Sequence, residues 1–428
     1  MRLLPLLLVA AVLLGCDSGS ENEPEPAPPP PEITGAELGQ HLSALEQIAD
    51  EHGATRAAGT PGDRASADYV AERLREARWR VRLQPVRFPY FELRRASMSI
   101  GGRSLRRTRD FQVLSYSGSG RVSGRLRRLE RGCSQDEFVQ LRSDEVPVVA
   151  RGLCFFRVKA LNAQRAGAPA LVVVEDVLTR RGIPSGTLAA PGIRIPVVFV
   201  AGRSVRTGTE VRVSVNAISG RRLTHNVIAE TPGGNGERVV MAGGHLDSVA
   251  GGPGINDNGS GVATLIETAE AIGPDPPGAR VRLAFWGAEE LGLIGSRRYV
   301  RSLAPGERRR ISAYLNLDMV GSPNAVPELY SDGDVGLARV LRRAAGRSLG
   351  GAAAGGSSDH APFEAAGVPV NGLYTGSTER GPGGRPRDPC YHLACDTTEN
   401  VNRPVLLRVA RAATEALRDL SARDVASR

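Results

Sequence analysis

Residues 237–248 read ERVVMAGGHLDS and residues 261–273 read GVATLIETAEAIG. The first is an apolar, β-branched run that ends in polar groups, which predicts a strand. The second spaces its apolar residues as a helix does. The pattern recurs on both sides. HNVIAE (225–230) predicts a preceding strand, VRLAFWGAEE (281–290) another, LIGSRRYVRSL (293–303) a helix and AYLNLDMVG (313–321) a strand. A helix near 335–346, a strand at VPVNGLYTG (368–376) and a helix over 404–420 complete the alternation. Such alternation predicts an α/β fold in which a central mixed sheet is flanked by helices.

Two amphipathic helices lie upstream. Leu42, Leu45, Ile48 and Ala49 form one apolar face, and Ala67, Val70, Ala71 and Leu74 the next. RAAGTPG (56–62) separates them as a turn. A strand is expected from Trp79 to about Phe91. From about 95 to 217 the texture changes to short β-type runs broken by Gly and Pro: VPVVARG (146–152), ALVVVED (170–176) and IPVVFVAG (195–202), with one helix from Lys159 to Ala166. The expected division is therefore 35–92 and 221–424 for the α/β domain, with 93–220 inserted as a β-rich module.

The chain has 428 residues, 41% hydrophobic and 24% charged, which is ordinary for globular protein. Its formal net charge is +9, almost entirely from Arg, and Lys159 is the only lysine. A basic balance admits anionic partners. With 4% aromatic residues there are few platforms on which bases could stack, so no nucleic-acid partner is expected. Arg clusters at 103–109 and 121–131 place much of the charge in the inserted module, where solvated loops account for it.

Residues 1–16 read MRLLPLLLVAAVLLGC. One basic residue precedes an apolar run too short to span a bilayer, as in a signal peptide. The ending LLGC (13–16) resembles a bacterial lipobox, whose Cys, here Cys16, becomes the lipidated first residue. The acidic, Pro-rich stretch over 17–34 then reads as an extended tether. No later stretch approaches the ~18 apolar residues of a span. The expected location is the bacterial cell envelope, exported and held to the membrane by lipid. Export implies an oxidising compartment. Four cysteines remain, Cys133, Cys154, Cys390 and Cys395, and they allow three connectivities. Neighbour pairing, Cys133–Cys154 with Cys390–Cys395, is the local choice; a zinc-binding Cys cluster is the rival, disfavoured by the gap between the pairs.

In open α/β sheets, ligands gather at the carboxyl ends of the strands. Here those ends carry His245 and Asp247, then Glu289 and Glu290, then Asp318. The Gly-rich loop PGINDNGSG (253–261) adds Asp257, and PCYHLACD (389–396) adds His392 between two cysteines. Each element alone has an ordinary explanation. A strand-end Asp caps a helix or turn, a lone His is structural, and adjacent glutamates are solvated. Together, two imidazoles and several carboxylates form a donor set for a borderline divalent ion, zinc above all. A carboxylate bridging two such ions would hold them about 3.5–4 Å apart.

GGHLDS, PGINDNGSG, WGAEELGLIGS, LNLDMVGSPN, SSDHAPF and CYHLACD together resemble the co-catalytic di-zinc aminopeptidases of the aminopeptidase Y type. The resemblance covers about 36–90 and 223–420. VARGLCFFRVKALNAQRAGAPALVVVED (148–176) resembles a protease-associated (PA) domain, which members of this type carry at this place. The resemblance implies two Zn2+ per chain. Asp257 would bridge them, His245 and Asp318 would complete one site, and Glu290 and His392 the other. It implies that Glu289 is the general base and that Tyr391 donates to the oxyanion in some members. The Asp257–Asn258 bond corresponds to a cis peptide. Asp247 is placed to orient the His245 imidazole from behind, and His360 is expected to be no ligand. Several leucine-preferring members carry Arg just before Ser-Asp-His, where this chain has Ser357. The implied activity is removal of N-terminal residues from peptides with a free N-terminus. A di-zinc carboxypeptidase or dipeptidase of the glutamate carboxypeptidase type is the alternative enzyme, separable by its action on N-blocked peptides. A non-catalytic surface binding protein on the same fold is the third reading; it is disfavoured because no expected ligand is missing.

The lipobox reading is checked by mass spectrometry of the mature chain. It expects an N-terminal, acylated Cys16 that is lost in Cys16→Ser; a mature N-terminus at any other residue contradicts it.

Overall fold

The computed structural model describes residues 31–423 apart from 176–182, 184, 202–204 and 347–348. Cys16, the leader and most of the tether lie outside the described residues. Both upstream helices are present, Gly35–Glu51 and Pro61–Glu76. Each starts on a threonine cap. Thr34 accepts from the Glu37 amide while Glu37 reaches back to the Thr34 amide, a reciprocal capping box. Thr60 accepts from the Asp63 amide, and Pro61 occupies the first turn, where no N–H is needed.

The α/β alternation is as the sequence predicts. Strand Asn235–His245 lies at the centre, parallel to Ala279–Trp286 on one side and to Ile311–Leu317 on the other. Val370–Tyr374 continues the parallel set beyond Ile311–Leu317. Antiparallel strands make the sheet mixed. Helices Ser260–Ile272 and Arg403–Ala422 cover one face, where Thr268 and Thr414 hydroxyls meet at 2.8 Å. Helix Ser260–Ile272 is buried on nearly every side, which explains its apolar sequence. No helix among the described residues is long and apolar enough to cross a membrane.

The inserted module is β-rich, but it is no separate sheet. Strands Arg80–Ile100 and Glu210–Glu230 each run 21 residues and pair antiparallel along their length. They carry the sheet from the α/β core into the module, where Gly120–Arg128, Glu145–Ala150, Leu171–Glu175 and Val197–Ala201 follow in order. The expected boundaries at 92/93 and 220/221 thus fall inside continuous strands. The first strand was expected to stop near Phe91; it continues to Ile100 through LRRAS, whose polar side chains lie on a two-stranded ribbon with partly exposed faces. The module has its own cores. One joins Val146, Val148, Val172 and Val198 on one face; the other joins Val149, Val173 and Phe199 with the helix Phe156–Arg165 on the other. Cys133 pairs with Cys154, and Cys390 with Cys395, so both neighbour pairings form.

Arg56, in the turn between the first two helices, is fully buried. Its guanidinium donates to the carbonyls of Leu246 (2.5 Å), Pro253 (2.9 Å) and Gly254 (2.6 Å). Its amide donates to Ser248 Oγ. Burial lowers its pKa to about 10, against the pull of Asp247, Asp396, Asp63 and Asp257, so it stays charged at neutral pH. This one side chain ties the loop after His245 to the loop before Asp257. Arg56→Met would leave the buried carbonyls of Leu246 and Pro253 without donors and the Gly254 carbonyl with only the Gly259 amide, at a cost of about 3–5 kcal/mol. Chemical denaturation should show a clearly lower midpoint for Arg56→Met, and Arg56→Lys should recover only part of it, because an ammonium cannot reproduce the planar fork. An unchanged midpoint in Arg56→Met would contradict the bracing role.

Candidate metal centre

The strand Asn235–His245 reaches the site through Gly243 and Gly244. A side chain at Gly244 would strike the Leu317 carbonyl at 2.5 Å, and one at Gly243 the Tyr314 hydroxyl at 2.6 Å. Only glycine lets the three central strands approach this closely at their carboxyl ends. His245 is the last residue of its strand, Glu289 and Glu290 follow Trp286, and Asp318 directly follows Leu317. Asp257 sits in the turn before helix Ser260–Ile272, and its bond to Asn258 is cis. His392 comes from the loop bracketed by the Cys390–Cys395 bridge. Ala288, Met319 and His392 have φ of 57°, 52° and 60°, a left-handed conformation that side chains disfavour. Such residues cluster where a structure forces functional groups into place.

These elements converge on Asp257. Its Oδ1 lies 3.1 Å from His245 Nε2, and its Oδ2 lies 3.2 Å from His392 Nε2. Asp318 Oδ1 is 3.3 Å from His245 Nε2, and Glu290 Oε2 is 3.2 Å from His392 Nε2. Three groups of candidate ligand atoms form, each within 4.8 Å: His245 with Asp257 and Asp318, Asp257 with Glu290 and His392, and His245 with Glu289 and Glu290. All the residues singled out for metal are therefore brought together, with Glu289 beside them. His392 is the most exposed member, so the cluster opens to solvent on that side.

The backing groups are less legible in the sequence. His245 Nδ1 meets the main-chain carbonyl of Asp247 at 2.9 Å, and not its carboxylate as the sequence reading expects. The strand has already ended, so the alternation that would put both side chains on one face no longer applies. The Asp247 carboxylate instead accepts from the Glu289 amide at 3.0 Å. Asp396 accepts from the amides of Asn256 and Asp257 at 2.8 and 3.0 Å. Ser358 donates to Asp318 Oδ2 at 2.6 Å and receives Asn316 Nδ2 at 2.9 Å. Asp396 and Ser358 stand inside the quoted motifs, yet nothing in their spacing distinguishes them from turn residues. His360 lies against the Tyr330 ring at 4.6 Å and outside the ligand groups. Tyr391 stacks on the His392 ring at 3.8 Å.

The electrostatics call for cations. Asp247, Asp257, Glu289, Glu290 and Asp318 are five carboxylates facing two imidazoles. Burial pushes Glu289 up to about 10, reinforced by Asp359, Asp318 and Asp247 against the pull of His245. Burial also pushes Asp247 up to about 8. Bonds from its Nε2 to the carboxylates of Asp257 and Glu290 raise His392 to about 10. Burial opposes the protonation of His245, but Asp318, Glu289 and Asp257 hold it well above the usual imidazole range. With protons alone for compensation, Glu289 stays neutral and both imidazoles stay charged. A divalent cation held among these groups would supply the missing positive charge, with His245 and His392 neutral and Glu289 then able to ionise. Apart from the facing imidazoles, no donor among the described residues reaches Asp257 Oδ2, Glu290 Oε1 or Asp318 Oδ1, as ligand atoms require. The donor set of imidazoles and carboxylates fits zinc.

The comparisons with known proteins agree with this chemistry. The family model for peptidase family M28 matches residues 226–417, and the PA domain model matches 122–207. An aminopeptidase of Pseudomonas aeruginosa is 36% identical over 420 residues, covering 86% of this chain and 77% of that protein. A probable lipoprotein aminopeptidase of Mycobacterium tuberculosis, LpqL, is 36% identical over 413 residues, covering 86% and 81%. Among solved structures, a zinc aminopeptidase from Bacillus subtilis superposes with a TM-score of 0.62 at 27% identity, covering 90% of this chain and 95% of that one. With its α/β sheet, its inserted module and these relatives, the chain belongs to peptidase family M28 and carries a PA domain within its peptidase fold.

Proposed function

We propose that this chain is a lipid-anchored, exported aminopeptidase that uses two zinc ions and a glutamate base, with 93–220 as its PA module. The observation that carries the reading is Asp257, whose two oxygens each face a different histidine at 3.1 and 3.2 Å. Asp257 would bridge the ions, His245 and Asp318 would hold one, and Glu290 and His392 the other. Zinc, when bound, polarises the substrate carbonyl and makes water acidic enough to attack at neutral pH.

The protein groups then have separate tasks. The amide of Glu289, fixed by Asp247, sets the position of its carboxylate beside His245. That carboxylate takes a proton from the attacking water and returns it to the nitrogen of the leaving amine. Burial, followed by the carboxylates of Asp257 and Glu290, raises the Tyr391 phenol beyond its ordinary range, so it remains a proton-bearing donor. Its ring stacks on His392, and in this reading the phenol donates to the oxygen of the tetrahedral species. Cys390–Cys395 holds this loop. The relatives named aminopeptidase support a free N-terminus as the substrate requirement. The name LpqL carries, lipoprotein aminopeptidase, supports the envelope location and the anchor at Cys16.

Glu289→Gln should lower kcat about a hundredfold to ten-thousandfold on an aminoacyl anilide while zinc content is unchanged. Turnover close to wild type would overturn the assignment of the base. Chelation should abolish activity and zinc should restore it. Full activity after complete metal removal, or hydrolysis of N-acetylated peptides in place of anilides, would overturn the metallo-aminopeptidase reading.

A further inference from the structure

A cavity of about 290 Å3 adjoins the cluster. Asp318 and Tyr391 are among its lining residues, so whatever fills it lies beside the cluster. Much of its wall is uncharged, with Met319, Ala353, Ala354, Tyr330 and Tyr374, and Asp318 and Glu379 are its two carboxylates. Ser357 also lines it. No Arg or Lys is among the lining residues, whereas Glu379 is.

Glu379 is held in one place. Tyr374 Oη donates to its carboxylate at 2.9 and 3.1 Å, and the Ser377 amide donates at 2.6 Å. Burial alone would raise its pKa, but these donors outweigh it and leave Glu379 below the ordinary carboxyl range, hence ionised at neutral pH. The nearby cation Arg387 pairs with Glu328 at 2.5 Å, both side chains largely buried, and senses Glu379 only through space. Glu379 therefore faces the cavity as a fixed negative charge without a counter-ion in the lining. A carboxylate in such a place favours an aliphatic stem that ends in a cation. The alanine, methionine and tyrosine side chains suit the methylenes, and the charged end meets Glu379.

Resting on the aminopeptidase reading above, we propose that Glu379 selects substrates whose N-terminal residue is lysine or arginine. The role is one of substrate recognition: Glu379 contacts the side chain and not the scissile bond.

The test compares kcat/KM of the full-length zinc-loaded chain on lysyl-, arginyl-, leucyl- and glutamyl-4-nitroanilide. Lysyl and arginyl substrates should exceed leucyl by roughly tenfold, the scale of one charge-assisted hydrogen bond. Glu379→Gln should reduce the lysyl-to-leucyl ratio to near one, with the change mainly in KM. Glu379→Lys should shift preference toward the glutamyl substrate. Should either variant fail to fold, the unmodified chain still decides: raising ionic strength should raise KM for lysyl far more than for leucyl, because the pair is open to solvent. Leucyl preferred over lysyl, or a ratio that Glu379→Gln leaves unchanged, overturns the proposal. Wild-type failure on every anilide would instead overturn the aminopeptidase reading.

Discussion

A largely buried cluster of five carboxylates and two imidazoles, open to solvent at His392, is the constraint around which this molecule is arranged. Left to protons, it holds its one candidate base neutral. A divalent cation would offset the repulsion, and the structure shows what holding such a cluster requires. Three strands end side by side, glycines allow them to approach, and three residues accept a left-handed backbone at the site. Arg56, Asp396, Ser358 and the Asp247 carboxylate then fix the loops between the ligands.

The inserted module relates to this centre through the backbone. Two 21-residue strands carry the sheet from one half into the other, so the PA domain hangs on a hydrogen-bonded ribbon and not on a flexible linker. A ribbon of this length transmits orientation. It also explains why the module can keep separate apolar cores on its two faces while remaining part of one sheet.

Much of this was legible in the sequence, for definite reasons. Buried parallel strands read as β-branched runs, and their polar ends mark where ligands gather, so His245, Glu289, Glu290 and Asp318 stood out. Both disulfide pairings followed from proximity along the chain. The less legible features depend on contacts between distant segments. Arg56 looked like a turn residue because its carbonyl partners lie about 190 residues away. Asp247 was expected to act on His245 through its side chain; it does so through its carbonyl, because the strand ends at His245 and the backbone turns there. The module boundaries were hidden because a polar ribbon strand shows little alternation.

The central claim is that Asp257 bridges two cations. Anomalous scattering at the zinc edge from crystals of the zinc-loaded chain tests it directly. The account predicts two peaks about 3.5–4 Å apart, one between His245 and Asp318 and one between Glu290 and His392, with Asp257 touching both. A single peak, or two peaks that do not share Asp257, would contradict it.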